Sequence, residues 1–145
     1  MNINNMIRYL LVICILCSCH NGPQPIHFGT DVCNECRMTI VDNHFGGEFI
    51  TMKGKNYKFD SIECLVNFIR KNNLNDKDME EILVVDHSVP GTFVKVHDAF
   101  FLHSTKLPSP MGAFLSAFAS KDSLSSYQLH FEGESLNWNQ ARSLN

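Results

Sequence analysis

The residues best equipped for chemistry lie in one short stretch, "DVCNECRMTI", where Cys33, Cys36 and Met38 fall within six positions. Two thiols spaced C-x-x-C can close a disulfide, hold a metal or exchange electrons. The thioether two residues on narrows the choice. Thiolate and thioether together suit Cu(I), whereas zinc takes thiolate, imidazole and carboxylate ligands. On an extended segment, alternation puts Cys36, Met38 and Ile40 on one face, neighbours roughly 6.6 Å apart. Two blander readings compete. Methionine is a common filler of core gaps, and C-x-x-C can be a plain staple or a thioredoxin-like pair. The redox reading wants a helix opening at the motif, and "MTIVDNHFGG" carries no helical period. Spacing alone leaves metal and non-metal readings both open, with Cys33 able to join or replace Cys36.

Other positions are weaker. Met111 falls on an apolar stripe with Phe114, Leu115 and Phe118, which reads as core. Its place in the first turn of a predicted helix would also project it past that helix end. Cys64, with Phe68 four residues on, reads as a half-buried structural thiol, and Asp60 as a helix N-cap. The histidines are scattered, with no H-x-x-H or H-E-x-x-H spacing; His44 and His103 are the two to test as an added ligand. No G-x-S-x-G, paired carboxylates or phosphate-cradling glycine loop is present, so a binding protein is expected, not an enzyme.

These residues must be carried by a small chain. The sequence has 145 residues, 44% hydrophobic and 19% charged, with net charge −3. That fits one packed domain. Without a basic cluster, a nucleic-acid partner has no electrostatic support. The N-terminus differs from the rest. Arg8 precedes the apolar run "YLLVICILC", too short to span a membrane comfortably. The run ends in "LCSC", which resembles a bacterial lipobox with Cys19 as the lipidated residue. Residues 1–18 then form a lipoprotein signal peptide, and residues 19–30, rich in Pro and Gly, a flexible tether. The expected location is the bacterial cell envelope, outside the cytoplasm, held to the membrane by lipid. Cys14 and Cys17 leave with the leader, so Cys33, Cys36 and Cys64 remain. An odd count argues against a disulfide scaffold.

Residues 31–145 are read as one domain. "GEFITM" and "YKF" predict a hairpin turning at Gly54. Asp60 and Glu63 form a capping-box pattern before a helix with Ile62, Leu65, Val66 and Ile69 on one face. "ILVVD" reads as a buried strand. From Thr92 the pattern runs again: "TFVKV", "AFFLH", a helix capped by Ser109 with Pro110 at its first position, a break at "SKDSLSS", and a closing strand "YQLHF". The fold class is α+β: two pseudo-repeated ββαβ units, about 31–89 and 90–145, packed as one module. Trp138 is expected to fold back onto it.

A lipoprotein-type leader, then "CRM", "FDSIECLVNF", "ILVVDH", "DAFFLHS" and "PMG" in this order resemble the NosL family. Members are copper-binding lipoproteins that accompany nitrous oxide reductase as Cu(I) chaperones for its copper–sulfur centre. The resemblance implies a duplicated ββαβ fold and a Cu(I) site at Cys36, Met38 and Met111. It also implies a copper-accepting enzyme, or its membrane assembly complex, as partner. Many members carry glycine at the Arg37 position and lack the cysteine at Cys33. The expectation is a membrane-anchored Cu(I) chaperone serving nitrous oxide reductase maturation. The alternatives are a thiol–disulfide oxidoreductase or a zinc-binding lipoprotein using the C-x-x-C pair, or a lipoprotein in which that pair is an inert staple.

Overall fold

The computed structural model describes residues 22–75 and 77–144. The signal segment and Cys19 lie outside the described residues. Among those residues, no helix is long and apolar enough to cross a membrane.

The first hairpin forms as its alternation requires. β1 (Gly47–Thr51) and β2 (Asn56–Phe59) pair antiparallel, and Gly54 supplies the left-handed turn residue at φ +78°. α1 (Ile62–Lys71) follows, then β3 (Met79–Val85), antiparallel to β1 on its other side. β4 (Phe93–Lys95) completes a sheet of order β2-β1-β3-β4. The sequence reading placed "TFVKV" in the second unit, but its ladder partner is β3. The second unit begins at β5 (Phe100–His103), continues through β6 (Leu115–Phe118) and α2 (Lys121–Phe131), and ends at β7 (Glu134–Leu136). Its sheet has the order β6-β5-β7. The α+β class and the doubled strand–strand–helix–strand order hold.

Inside the second unit, helix and strand exchange places. Residues 109–119 were expected to be helical; they form a loop and β6. Pro108 just before the stretch, with Pro110 and Gly112 inside it, disfavours a helix there. β6 is buried at every position, so its apolar residues need not alternate, and their spacing imitated a helical stripe. "YQLHF", expected as a strand, lies in α2. Ser120 caps that helix by accepting the Ser123 amide at 3.1 Å. Leu124, Tyr127 and Phe131 form the true helical stripe, packed with Phe118, and Leu129 is 84% exposed. Gly133 then turns the chain into β7 at φ +108°; a Cβ there would run into the His103 carbonyl oxygen.

One core joins the two sheets. Phe49, Phe59, Val84, Phe101 and Leu115 share it with Trp138, which opens α3 (Trp138–Ala141) and packs on Phe101. α1 lies against β1, β2 and β6, so it touches both sheets. Residues 24–30, read as the end of a flexible tether, are fastened to this module. Ile26 is buried, and the Gln24 amide donates to the buried Glu48 carboxylate.

Candidate metal centre

The cysteine segment is a closed turn, not the extended strand first expected. Val32 and Thr39 bridge antiparallel, and the Cys33 amide donates to the Met38 carbonyl at 2.8 Å. The chain reverses at Arg37, whose φ of +67° is left-handed. Such a conformation suits glycine and strains an L side chain. Cys36 therefore sits in the bend, Met38 is 52% exposed and Ile40 is buried. Asn34 docks the turn on β2: its amide donates to the Lys58 carbonyl and its side chain accepts the Lys58 amide, both at 2.8 Å.

Docking on β2 brings the thiols to the β2–α1 junction. The helix cap is Ser61, not Asp60: its hydroxyl accepts the Cys64 amide at 3.2 Å. Asp60 is thereby free to face the cysteines, and Cys36 Sγ donates to its Oδ2 at 3.5 Å. Cys64, in the first turn of α1, is 1% exposed, where half-burial was expected, and Cys33 is fully buried. Ligand atoms of Cys33, Cys36, Asp60 and Cys64 all lie within 4.8 Å of one another. The three thiols are free. Asp60 Oδ1 is buried without a hydrogen-bond partner.

The cluster polarises its sulfurs unequally. Cys33 is drawn down to about 6, first by the hydrogen bond from Cys64 and then, against burial, by the amides of Cys36, Asp60 and Glu35. Cys64 is pushed up because it donates that bond and is buried beside Asp60. Burial, with Cys33 and Asp60 adding their charge, pushes Cys36 up, although the Met38 amide donates to it. A soft cation would relieve this crowding of negative groups.

Outside the cluster lies an open cleft of about 330 Å³, lined by Met38, Asp60, Pro108, Ser109 and Pro110 among others. The "PSPMG" loop thus reaches the same cleft as Met38. Met111 follows at the turn that the Gly112 amide closes on the Ser109 carbonyl at 3.0 Å, and it is 42% exposed. It is not the core methionine that a helical stripe suggests. Ser109, expected as a helix cap, instead anchors this loop. Its hydroxyl donates to the buried Glu63 carboxylate on α1 and accepts the Phe114 amide at 2.9 Å. The same Glu63 oxygen accepts the Leu115 amide at 3.3 Å. His44 turns away to the His87 carbonyl, 2.9 Å from its Nδ1, and His103 lies in the β5 ladder.

Sequence reasoning missed Cys64 and Asp60 as neighbours of the C-x-x-C pair, and Glu63–Ser109 as the fastening. The one available signal was the first-turn placement of Cys64 after a hairpin.

Fold and site together define a small α+β module in which the exposed Met38 and the loop leading to the exposed Met111 border a cleft at Asp60, beside a largely buried thiol cluster. The chain belongs to the NosL family, whose model matches residues 25–143. It is also similar to a crystal structure of the copper chaperone NosL from Shewanella denitrificans. That match has a TM-score of 0.69 and 22% identity, covering 83% of this chain and 95% of the other. No curated protein matches it.

Proposed function

We propose that this chain is a membrane-tethered Cu(I) chaperone, not an enzyme. It holds one ion through Cys36, Met38 and Met111 and passes it to a copper-accepting enzyme or its membrane assembly complex. Nitrous oxide reductase maturation is the recipient process that family membership favours. The observation that carries the reading is the shared cleft. Exposed Met38 and the loop leading into Met111 meet there over Asp60, whose carboxylate holds the Cys36 thiol.

The donors suit the cargo. One thiolate neutralises Cu(I), and two thioethers complete a soft set without added charge. Exposure of both methionines keeps the coordination open on the solvent side. An incoming thiolate or thioether can bind before a departing one leaves, so the ion is exchanged without being set free. A lipid on Cys19 would confine the chaperone to the membrane surface of the cell envelope and raise its effective concentration near a membrane-bound acceptor.

Anaerobic Cu(I) titration of the full chain tests this. Leucine keeps the volume of methionine but removes its sulfur, so Met38→Leu and Met111→Leu should change apo stability by less than about 1.5 kcal/mol. Each should weaken Cu(I) binding tenfold or more, about 1.4 kcal/mol. Unchanged affinity in both variants removes the thioethers from the site. The same preparations test the tether: wild type should partition with membranes and Cys19→Ala should not.

A further inference from the structure

The chain between the candidate lipid site and the module is short. Gly22, the first described residue, follows Cys19 by three positions, and three residues span about 11 Å at full stretch. Gly22 is itself held, because its carbonyl accepts the Asn56 side-chain amide at 3.2 Å. Further on, the Gln24 amide donates at 3.1 Å to Glu48, the ladder partner of Lys58, and the Pro25 carbonyl accepts Lys58 Nζ at 2.7 Å. Ile26 is buried. This N-terminal strap therefore runs alongside β2 in the same direction, from Asn56 toward Lys58. Its free end leaves the module beside the β1–β2 hairpin tip.

We propose that this tip, with Met52, Lys53 and Lys55, rests on an anionic lipid surface, and that the metal cleft faces away from it. The inference rests on the lipoprotein reading of Cys19: a lipid there is kept close to the tip by the length of the strap. The tip has the chemistry of such a contact. Met52 is 62% exposed, and Lys53 and Lys55 are exposed on either side of Gly54. An apolar side chain beside lysine stems enters the headgroup layer while the ammonium groups stay among the phosphates. Asp78, whose carbonyl accepts the Met52 amide, stands before β3, on the far side of β1 from the strap. Its carboxylate accepts the Asn75 amide, and Lys77 beside it offsets part of its charge.

The cleft lies at the other end of β2. Asp60 comes four residues after Asn56, about 13 Å along the strand direction. A module standing on its hairpin tip keeps lipid clear of Met38 and the Pro108–Pro110 loop, and leaves the cleft open to an incoming acceptor. The strap thus orients the protein as well as tethering it.

The test uses the lipidated protein in vesicles of brominated phosphatidylcholine and phosphatidylglycerol, with acylation of Cys19 read by mass spectrometry. Trp138 is buried, so wild type supplies a constant background. In Met52→Trp the bromines should quench at least half of the added emission. Val89 is 51% exposed beyond the opposite end of β3, and Val89→Trp should keep nearly all of its emission. Adding Lys53→Glu and Lys55→Glu to Met52→Trp should lower the quenching at least twofold without releasing the chain from the vesicles. Equal quenching at positions 52 and 89, or quenching indifferent to the lysines, overturns the proposal. An acylated chain unquenched at position 52 rejects the orientation and keeps the lipoprotein reading. If position 52 of that chain is shielded from iodide only in native membranes, the tip meets a membrane protein instead of lipid. A chain without lipid at Cys19 removes the anchor, and the proposal with it.

Discussion

The two strand–strand–helix–strand units share an order but differ in how their helices are held. α1 buries Ile62, Glu63, Cys64, Leu65, Val66 and Ile69, whereas α2 buries only Leu124. α1 touches both sheets, while α2 packs on β5, β6 and β7 of its own unit. The consequence is functional. α1 carries Cys64, follows Asp60 directly and, through Glu63, holds the Ser109 loop. Asp60, Cys64 and the Met111 loop are thus referenced to this one helix, and the cysteine turn to β2 just before it. α2 contributes none of these residues. The duplicated plan therefore gives one half the task of locating the donors, while the other contributes the loop with Met111.

The largest test of that asymmetry is in the helices. Leu65 is fully buried and Leu129 is 84% exposed. Leu65→Ala should cost about 2–5 kcal/mol, and Leu129→Ala should stay within about 0.5 kcal/mol. Chemical denaturation of the metal-free protein measures both; equal losses would erase the distinction between α1 and α2.

Next in size is the bond between the halves. Ser109→Ala removes the hydroxyl shared by Glu63 and the Phe114 amide and leaves buried polar groups unpaired, a cost of about 1–3 kcal/mol. Cu(I) affinity should fall with it, because the Met111 loop loses its hold on α1. Unaltered stability and affinity would mean that the loop is placed by other contacts.

The smallest effect is local to the cysteine turn. Arg37 holds a left-handed φ of +67°, which costs an L-residue about 1–2 kcal/mol. Glycine removes that strain but adds backbone freedom to the unfolded chain, worth about 0.5–1 kcal/mol. Arg37→Gly should therefore raise stability by between nothing and about 1.5 kcal/mol and leave Cu(I) affinity unchanged. A lower melting temperature would show that the arginine side chain contributes more than its backbone costs.

Legibility along the chain follows the same asymmetry. β1, β2, α1 and β3 could be read because each has the period of its type or a turn residue at its end: Gly54 in the hairpin, and Ile62, Leu65, Val66 and Ile69 along the helix. β6 and α2 were exchanged because a strand buried on both sides does not alternate, and because Tyr127, Leu129 and Phe131 alternate within a helix. Only the depth of burial, 2% at Leu115 and 84% at Leu129, separates these cases.

What the sequence determined by itself was local. Soft donors at C-x-x-C-x-M, a hairpin running into an amphipathic helix, and the motif order that marks the family depend on residue type and short spacing. Tertiary structure alone decided which donors meet. Cys64 lies 28 positions beyond Cys36 in the sequence, and no periodicity links them. They become neighbours because Asn34 docks the cysteine turn on β2 and Ser61, by capping α1, releases Asp60 toward the thiols. Met38 and the Met111 loop likewise share a cleft because Ser109 ties that loop to Glu63. These are long-range contacts selected by burial and by the need to pair buried polar groups, and such pairing is a property of the packed chain.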